Sequence, residues 1–305
     1  MKKATQIFMI IVAVTISTVY TAKAQVSVNT YGSNSNASAM LDVKSSNKGF
    51  LPPRVATVNN VSNPVAGLQV YDQSNKCMRY YNGTEWSKCM GGEHTCGNDF
   101  VDSRDGKSYS TVQIGTQCWM AENLNIGTSI GSSNAQTDNN TIEKYCYNNN
   151  ASNCDTYGGL YQWDEAMGYV TTVGTQGICP TGWHLPTDDE FKTMEMSLGM
   201  TAAQANGTGY RGTNEGSKLA GNAFFWDNGS LESNSAFGTS GFMAFPVGLW
   251  NKNNNFQGIQ KRTSFWSSNQ DNSKAWRRLL VNTEPRVYRE SYDKLFGYSV
   301  RCLRD

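Results

Sequence analysis

Residues 177–190, with the sequence GICPTGWHLPTDDE, hold the densest group of side chains that could do chemistry. His184 is followed within six residues by three carboxylates, and this arrangement could serve general acid–base catalysis. Thr187 and Glu190, however, have the spacing of a capping box, and acidic side chains are favourable at the positive end of a helix. We therefore predict a helix that starts at Thr187, a buried Trp183, and a His184 that is hydrogen-bonded rather than catalytic.

The eight cysteines are the second reactive group. The N-terminus of the chain indicates export. In an exported chain an even number of cysteines favours disulfides over thiol or metal chemistry. With only two histidines, we predict no metal site. Many connectivities are possible, and a two-residue Asn82-Gly83 hairpin would set residue 77 opposite 88, one position from Cys89. Local spacing favours Cys77–Cys89, Cys96–Cys118 and Cys146–Cys154, which leaves Cys179–Cys302 by elimination.

Aromatic residues flanked by amides and carboxylates supply the candidate binding surface. An exposed aromatic ring beside amide donors can stack on a sugar ring or anchor a protein partner. Trp266 and Trp276 lie in predicted strands, and we expect them in the core. The ligand-binding candidates are Trp226, Asp227, Asn228, Trp250, Asn251 and Asn253.

Other sequence features argue against several classes of function. The segment 207–212, GTGYRG, has the glycine spacing of a dinucleotide-binding motif, but no predicted strand precedes it as that motif requires. We therefore predict no cofactor. Neither of the usual calcium-dependent lectin tripeptides, Glu-Pro-Asn and Gln-Pro-Asp, occurs in the chain. A formal net charge of +1 with 17% charged residues provides no basic surface for nucleic acid.

The N-terminus has the pattern of a secretory signal peptide. Lys2 and Lys3 precede an apolar run over residues 7–20, and Ala22-Lys23-Ala24 is a small-x-small cleavage site. We predict that residues 1–24 are removed by cleavage near Ala24 and that the protein is secreted or lies at the cell surface or envelope. A retained N-terminal anchor is the alternative. The run is short for a membrane span, and no later segment offers one, so we expect no membrane span after cleavage.

The remaining chain divides into two predicted parts. Residues 25–95 form an extended, stalk-like module, rich in Ser, Asn and Gly, with a strand over 66–72 and a β-hairpin over 77–86. Residues 96–305 form a larger domain that opens with a hairpin around Asp105-Gly106. A long polar loop over 125–155, with a cysteine pair near its end, is typical of a functional or inserted segment.

The larger domain is predicted to be α+β. A short helix carries Trp163 and Met167 one turn apart, and a second helix buries Phe191, Met194 and Leu198 before it stops at Gly199. The strands that follow are predicted over 241–247, 263–268, 275–281 and 298–303.

Residues 96–305 resemble the Fibrobacter succinogenes major paralogous domain of exported bacterial proteins. The blocks that carry the resemblance are DSRDGK (102–107), QIGTQCWMAENLN (113–125), YGGLY (157–161), CPTGWHLP (179–186), NEGSKL (214–219), FWSS (265–268) and SVRCLRD (299–305). That family is similar in turn to the C-type-lectin-like fold of formylglycine-generating enzymes. The resemblance implies a disulfide-stapled α+β domain with two helices and a twisted antiparallel sheet, and it implies no particular chemistry.

The first module resembles phage tail-fibre and adhesin stalk pieces found in exported Bacteroidetes proteins. The matching blocks are NASAMLDV (36–43), KGFLPPR (48–54) and AGLQVY (66–71). The resemblance implies a homo-oligomer formed through residues 25–95, and a plain spacer is the alternative.

These observations favour an exported, non-enzymatic binding or adhesion module that recognises a glycan or a surface protein through the loops of a lectin-like scaffold. A structural component of an oligomeric surface fibre is the alternative. A formylglycine-generating type of enzyme is disfavoured, because such enzymes rely on reactive cysteines and every cysteine here has a plausible disulfide partner.

Overall fold

The computed structural model of the protein describes residues 26–29, 32–87 and 94–305. They belong to two compact units, Met1–Glu93 and His94–Asp305, which are described separately. The predicted signal peptide, residues 1–24, lies outside the described residues. No helix within the described ranges has the length and apolar character needed to cross a membrane.

The first unit is built from short strands and one turn of 3-10 helix at Val58–Asn60. Its strands are β1 (Val26–Asn29), β2 (Leu41–Lys44), β3 (Arg54–Val55), β4 (Gln69–Asp72) and β5 (Cys77–Tyr80). β1 and β2 form a two-stranded parallel ladder, while β4 pairs with β3 in parallel and with β5 in antiparallel orientation.

The turn after β5 differs from the predicted two-residue hairpin. Tyr81 forms an isolated bridge with Trp86, so four residues lie in the loop. The Asn82 side chain accepts hydrogen bonds from the backbone N–H groups of Thr84 and Glu85, which holds this wider turn. Cys77 is buried, and because Cys89 lies outside the described residues their pairing stays a prediction.

The second unit contains many short strands and few helices. Its helices are α1 (Ala151–Tyr157), α2 (Trp163–Ala166), α3 (Asp188–Ser197), α4 (Ala202–Asn206) and α5 (Glu215–Leu219), with 3-10 turns at Tyr147–Asn149 and Ala223–Phe225. Its strands are β6 (Phe100–Val101), β7 (Ser108–Tyr109), β8 (Thr111–Ile114), β9 (Gln117–Met120), β10 (Thr128–Ser129), β11 (Glu143–Lys144), β12 (Trp183–His184), β13 (Gly209–Arg211), β14 (Leu249–Asn251), β15 (Asn255–Gln257), β16 (Arg262–Asp271), β17 (Lys274–Val281), β18 (Glu284–Asp293) and β19 (Leu303–Arg304).

Two four-stranded sheets organise this unit, with strand orders β13-β18-β17-β16 and β12-β19-β9-β8. The α+β class is therefore confirmed, and the strands predicted over 263–268 and 275–281 lie within β16 and β17. The strand predicted over 241–247 is wrong, because Met243 adopts a φ of 54° that interrupts extended backbone. Of the strand predicted over 298–303, only Leu303 lies in a strand, β19.

Helix α3 begins as its sequence predicts. The Thr187 side chain accepts from the Glu190 N–H, and the Glu190 side chain accepts from the Thr187 N–H, so the capping box is complete. Phe191 and Met194 are buried under the helix. The unit nevertheless contains five helical segments rather than two, since several loops close single helical turns.

Three of the four predicted disulfides are confirmed. Cys96 bonds to Cys118, Cys146 to Cys154, and Cys179 to Cys302 across 123 residues of sequence. The last bond lies in a buried cluster with the indoles of Trp163, Trp183 and Trp266. It fixes the C-terminal segment to the middle of the unit.

A buried network of ionised side chains joins α3 to the larger sheet. Arg278 on β17 donates to Asp188 at 2.6 Å and to Glu195 at 2.7 Å, both on α3. Arg289 on β18 makes two further hydrogen bonds to Asp188, and Arg211 on β13 makes two to Glu195. Burial raises the pKa of Asp188, but the two guanidinium groups outweigh that effect and hold the pKa well below its ordinary value. Three neighbouring strands therefore hold the helix through two carboxylates.

Removing one charge from this network should destabilise the protein strongly. We expect Asp188→Asn to lower the free energy of unfolding at pH 7 by about 3–5 kcal/mol, because the buried Arg289 loses its carboxylate partner and the buried Arg278 keeps only Glu195. The difference from the wild type should shrink only as the pH falls below 3.8, the ordinary pKa of the group. Urea unfolding followed by tryptophan fluorescence measures it. Asp189→Asn is the matched control, since that neighbouring side chain is 88% exposed; equal effects of the two variants would contradict the expectation.

Candidate functional site

The structure buries both tryptophans that the sequence suggested as an exposed binding surface. Trp226 is 4% exposed and its indole N–H donates to the Ala244 carbonyl. Trp250 is 3% exposed, stacks on Tyr145 with ring centroids 4.2 Å apart, and donates to the Ser132 carbonyl. The two rings also lie in different core clusters. The prediction of an exposed aromatic plate is therefore wrong for these residues, because each indole N–H finds a partner inside the fold.

The polar candidates beside them have structural partners. Asn251 is buried and its side chain accepts from the backbone N–H groups of Asn253 and Asn255, which shapes the β14–β15 turn. Asp227 is half-buried and Asn228 is exposed. Asn253 is also exposed. A role for Asp227, Asn228 or Asn253 in ligand binding stays a prediction.

A different part of the second unit forms a cavity of about 490 Å³. Its walls come from four segments, residues 107–110, 121–125, 154–158 and 243–245. The volume lies in the range of small-molecule binding pockets. We name this feature the central cavity.

Arg301 holds two of the walls, 121–125 and 243–245, in place. Its guanidinium is 1% exposed and donates to the carbonyl oxygens of Met120, Phe242 and Met243, and its Nε donates to Asn123 Oδ1 at 2.7 Å. Burial lowers the pKa of Arg301 to about 9, so the group remains a cation at neutral pH. Among the described residues no carboxylate pairs with the Arg301 guanidinium. Amide and carbonyl oxygens accept its hydrogen bonds instead.

Asn123 carries this restraint to a third wall, 154–158. Its Nδ2 donates to the Tyr157 carbonyl at 2.7 Å, at the end of α1. The next residue, Gly158, has a φ of 83°, and a Cβ there would lie 2.5 Å from Asn123 Cβ. Only glycine fits this close approach. The Cys146–Cys154 disulfide anchors the same helix, so the wall is rigid.

Two lysines converge on the rim of the central cavity. Lys107 and Lys144 both donate to the Asn125 carbonyl oxygen, at 3.1 Å and 2.9 Å, and Lys144 also donates to Asn125 Oδ1. Burial, with a smaller effect of Lys107, lowers the pKa of Lys144 to about 8. The carboxylates of Glu122 and Asp155 also line the cavity, and both residues are exposed. Charges of both signs therefore surround the cavity.

Aromatic rings continue the cavity outwards. Tyr157 and Phe245 line it, and each packs against Phe225, at centroid distances of 5.5 Å and 5.0 Å. Phe225 in turn contacts Phe224, which is 85% exposed. We call these four residues the aromatic edge. A ring so exposed beside a formed cavity is typical of a contact surface.

Only part of this site could be predicted from the sequence. The stapled loop over 125–155, interpreted as functional or inserted, contributes Asn125 and Asp155 to the walls. The aromatic edge was not predicted, although its exposed ring, Phe224, lies two positions before Trp226, which was predicted to be exposed.

The block around His184 is held by hydrogen bonds to carboxylates. His184 is half-buried, with Nδ1 at 2.6 Å from Asp305 Oδ1 and Nε2 at 3.0 Å from Glu190 Oε1. Since both ring nitrogens are occupied by carboxylates that tie the helix cap to the C-terminus, this group is a structural joint. Within the described residues no group of three or more metal-binding side chains is arranged to hold an ion.

Comparison with protein families decides the identity of the second unit. Residues 112–304 match the model of the Fibrobacter succinogenes major domain, which is more than half of the chain. The chain belongs to this family.

The Fibrobacter succinogenes major domain of this protein thus contains three of the four walls of the central cavity, whereas Cys96 and the wall at 107–110 precede the matched region. Residues 27–103 match the model of the phage tail like trimerisation region, so the resemblances to the Fibrobacter succinogenes domain and to tail-fibre pieces are confirmed. No curated protein and no solved structure matches the chain.

The His184 joint gives the domain a stability term that depends on pH. Burial lowers the pKa of His184, but its hydrogen bonds to Glu190 and Asp305 outweigh that effect and raise the pKa above 6.5. The stabilisation is therefore complete below pH 6.5 and is lost as the pH rises through the raised value. We expect His184→Gln to cost roughly 1 kcal/mol at pH 6 and less at pH 9, measured by urea unfolding.

His94 serves as the control, because its pKa is shifted in the opposite direction. Burial, with a smaller contribution from Arg304, lowers the pKa of His94, so its neutral form is the one the fold favours. His94→Gln should cost more at high pH than at low pH. A cost for His184→Gln that does not depend on pH would contradict the proposed joint.

Proposed function

We propose that this protein is an exported, non-enzymatic surface component that assembles as a trimer through its first unit and presents the Fibrobacter succinogenes major domain as a recognition module on a lectin-like scaffold. The observation that carries the proposal is the exposed apolar surface of the first unit. The partner of the recognition module is a glycan or another surface protein.

The first unit buries little of its apolar surface by itself. In its described part, nine large apolar side chains are between 40% and 69% exposed, whereas Val58, Val70 and Cys77 are its buried hydrophobic residues. Contiguous exposed apolar surface is costly in water and typically marks an interface. The nine residues are Val26, Val28, Met40, Leu41, Val43, Phe50, Leu51, Val65 and Tyr80.

The β1–β2 ladder concentrates this surface. Val26 pairs with Leu41 and Val28 with Val43, and all four side chains are exposed. Residues two apart on a strand lie on one face, so the four form an apolar patch on a two-stranded sheet. Such a small sheet is marginal alone. Copies of the chain covering this patch would explain both its composition and the match to a trimerisation region.

The cysteines support export and argue against the enzyme alternative. Six of them form three disulfides in the second unit, and disulfides persist in oxidising compartments. The formylglycine-generating type of chemistry requires reactive thiols, and these six sulfurs are already bonded. The predicted cleavage near Ala24 is consistent with the same compartment.

Sedimentation of the intact chain tests the assembly. We expect a trimer for the wild type, and dissociation when Val28→Asp and Val43→Asp place charges on the patch, because each buried carboxylate would lack a partner. Analytical ultracentrifugation measures the mass.

The matched control is Val170→Asp with Val173→Asp, two similarly exposed valines in the second unit, which should leave the trimer intact. A monomeric wild type would overturn the proposal, as would a trimer that tolerates the charges at positions 28 and 43.

A further inference from the structure

The walls of the central cavity are fixed before any ligand arrives. Arg301 and Asn123 join the segments at 121–125, 154–158 and 243–245 by buried hydrogen bonds. Binding to such a site requires little ordering of the protein, which favours affinity for a small ligand. The cavity therefore has the rigidity of a binding site, and its lining determines the class of ligand.

The polar lining suits a ligand with many hydroxyl groups. The Lys107 ammonium is a donor, and the exposed carboxylates of Glu122 and Asp155 are acceptors. With Lys144, which donates to Asn125, these side chains bring two positive and two negative charges to the cavity, and the buried Arg301 adds a cation whose hydrogen bonds are accepted by amide and carbonyl oxygens. A ligand of strong net charge would gain little here, whereas a hydroxyl can both donate and accept.

The aromatic edge offers an apolar surface beside the polar wall of the cavity. Tyr157 and Phe245 form part of the wall, and Phe224 extends the aromatic surface into solvent. The apolar C–H face of a sugar ring packs on aromatic rings, and its hydroxyl groups then meet the polar wall. An aromatic surface beside polar groups of both charge signs is complementary to this amphipathic shape.

We propose that the central cavity binds an uncharged saccharide, with a sugar ring against the aromatic edge and hydroxyl groups hydrogen-bonded to Asp155, Glu122 and Lys107. This rests on the proposed function, of which it specifies the ligand class and the site. The site differs from the one predicted around Trp226 and Trp250.

An array of immobilised neutral, acidic and amine-bearing oligosaccharides, probed with the intact protein, tests the inference. We expect binding to neutral members, and we expect Asp155→Asn and Tyr157→Ala each to weaken it about tenfold or more through the loss of a charged acceptor and of a stacking surface. Asp155 is exposed, so its variant should fold normally. Asp138→Asn, on the same loop but outside the cavity, should bind as the wild type does.

Several results would overturn the inference. These are no binding to any member, binding confined to acidic or amine-bearing saccharides, or binding that survives both cavity variants. Sedimentation separates this failure from that of the proposed assembly. A trimer that binds no saccharide removes only the cavity inference, whereas a monomer that binds neutral saccharides removes only the trimer.

Discussion

The hydrogen bonds of one buried guanidinium, that of Arg301, join several loops of the second unit. Arg301 lies immediately before Cys302, whose disulfide to Cys179 fixes that part of the chain in the core. From there the guanidinium reaches the end of β9, the Asn123 side chain and the loop at 242–243. It also lies over the ring of Phe242 at 4.5 Å. Desolvating a cation is costly, so these acceptors must stay in place, and their positions define the walls of the central cavity.

The unit uses buried charge in two different ways. Around Asp188 and Glu195, three guanidinium groups meet two carboxylates, so opposite charges lock a helix onto a sheet. Around Arg301, neutral oxygens satisfy a single cation and join loops that have little regular structure. The first arrangement stabilises the scaffold, and the second shapes the walls of the central cavity. A fold with short strands and long loops needs both, because regular hydrogen-bond ladders hold only part of its chain.

What could be predicted from the sequence was local or covalent. The capping box at Thr187 needs only residues within one helical turn, and Cys146 and Cys154 are close in the chain, so both were found. The central cavity could not be derived in this way, because residues far apart in sequence, such as Lys107 and Phe245, meet only in the folded chain. The prediction that Trp226 and Trp250 are exposed was wrong for a related reason. Polar neighbours suggested that Trp226 and Trp250 were exposed, but the carbonyl groups that accept their N–H bonds lie 18 and 118 residues away.

Hydrogen–deuterium exchange in the variant Arg301→Lys tests most directly whether this one side chain shapes the cavity. Lysine keeps a titratable cation but lacks the planar fork that reaches several carbonyl groups at once. We expect faster exchange of backbone amides in residues 121–125, 154–158 and 242–245, with the β16–β17–β18 ladder protected as in the wild type. Unchanged exchange in those walls, or a uniform loss of protection throughout the unit, would contradict the role assigned to Arg301.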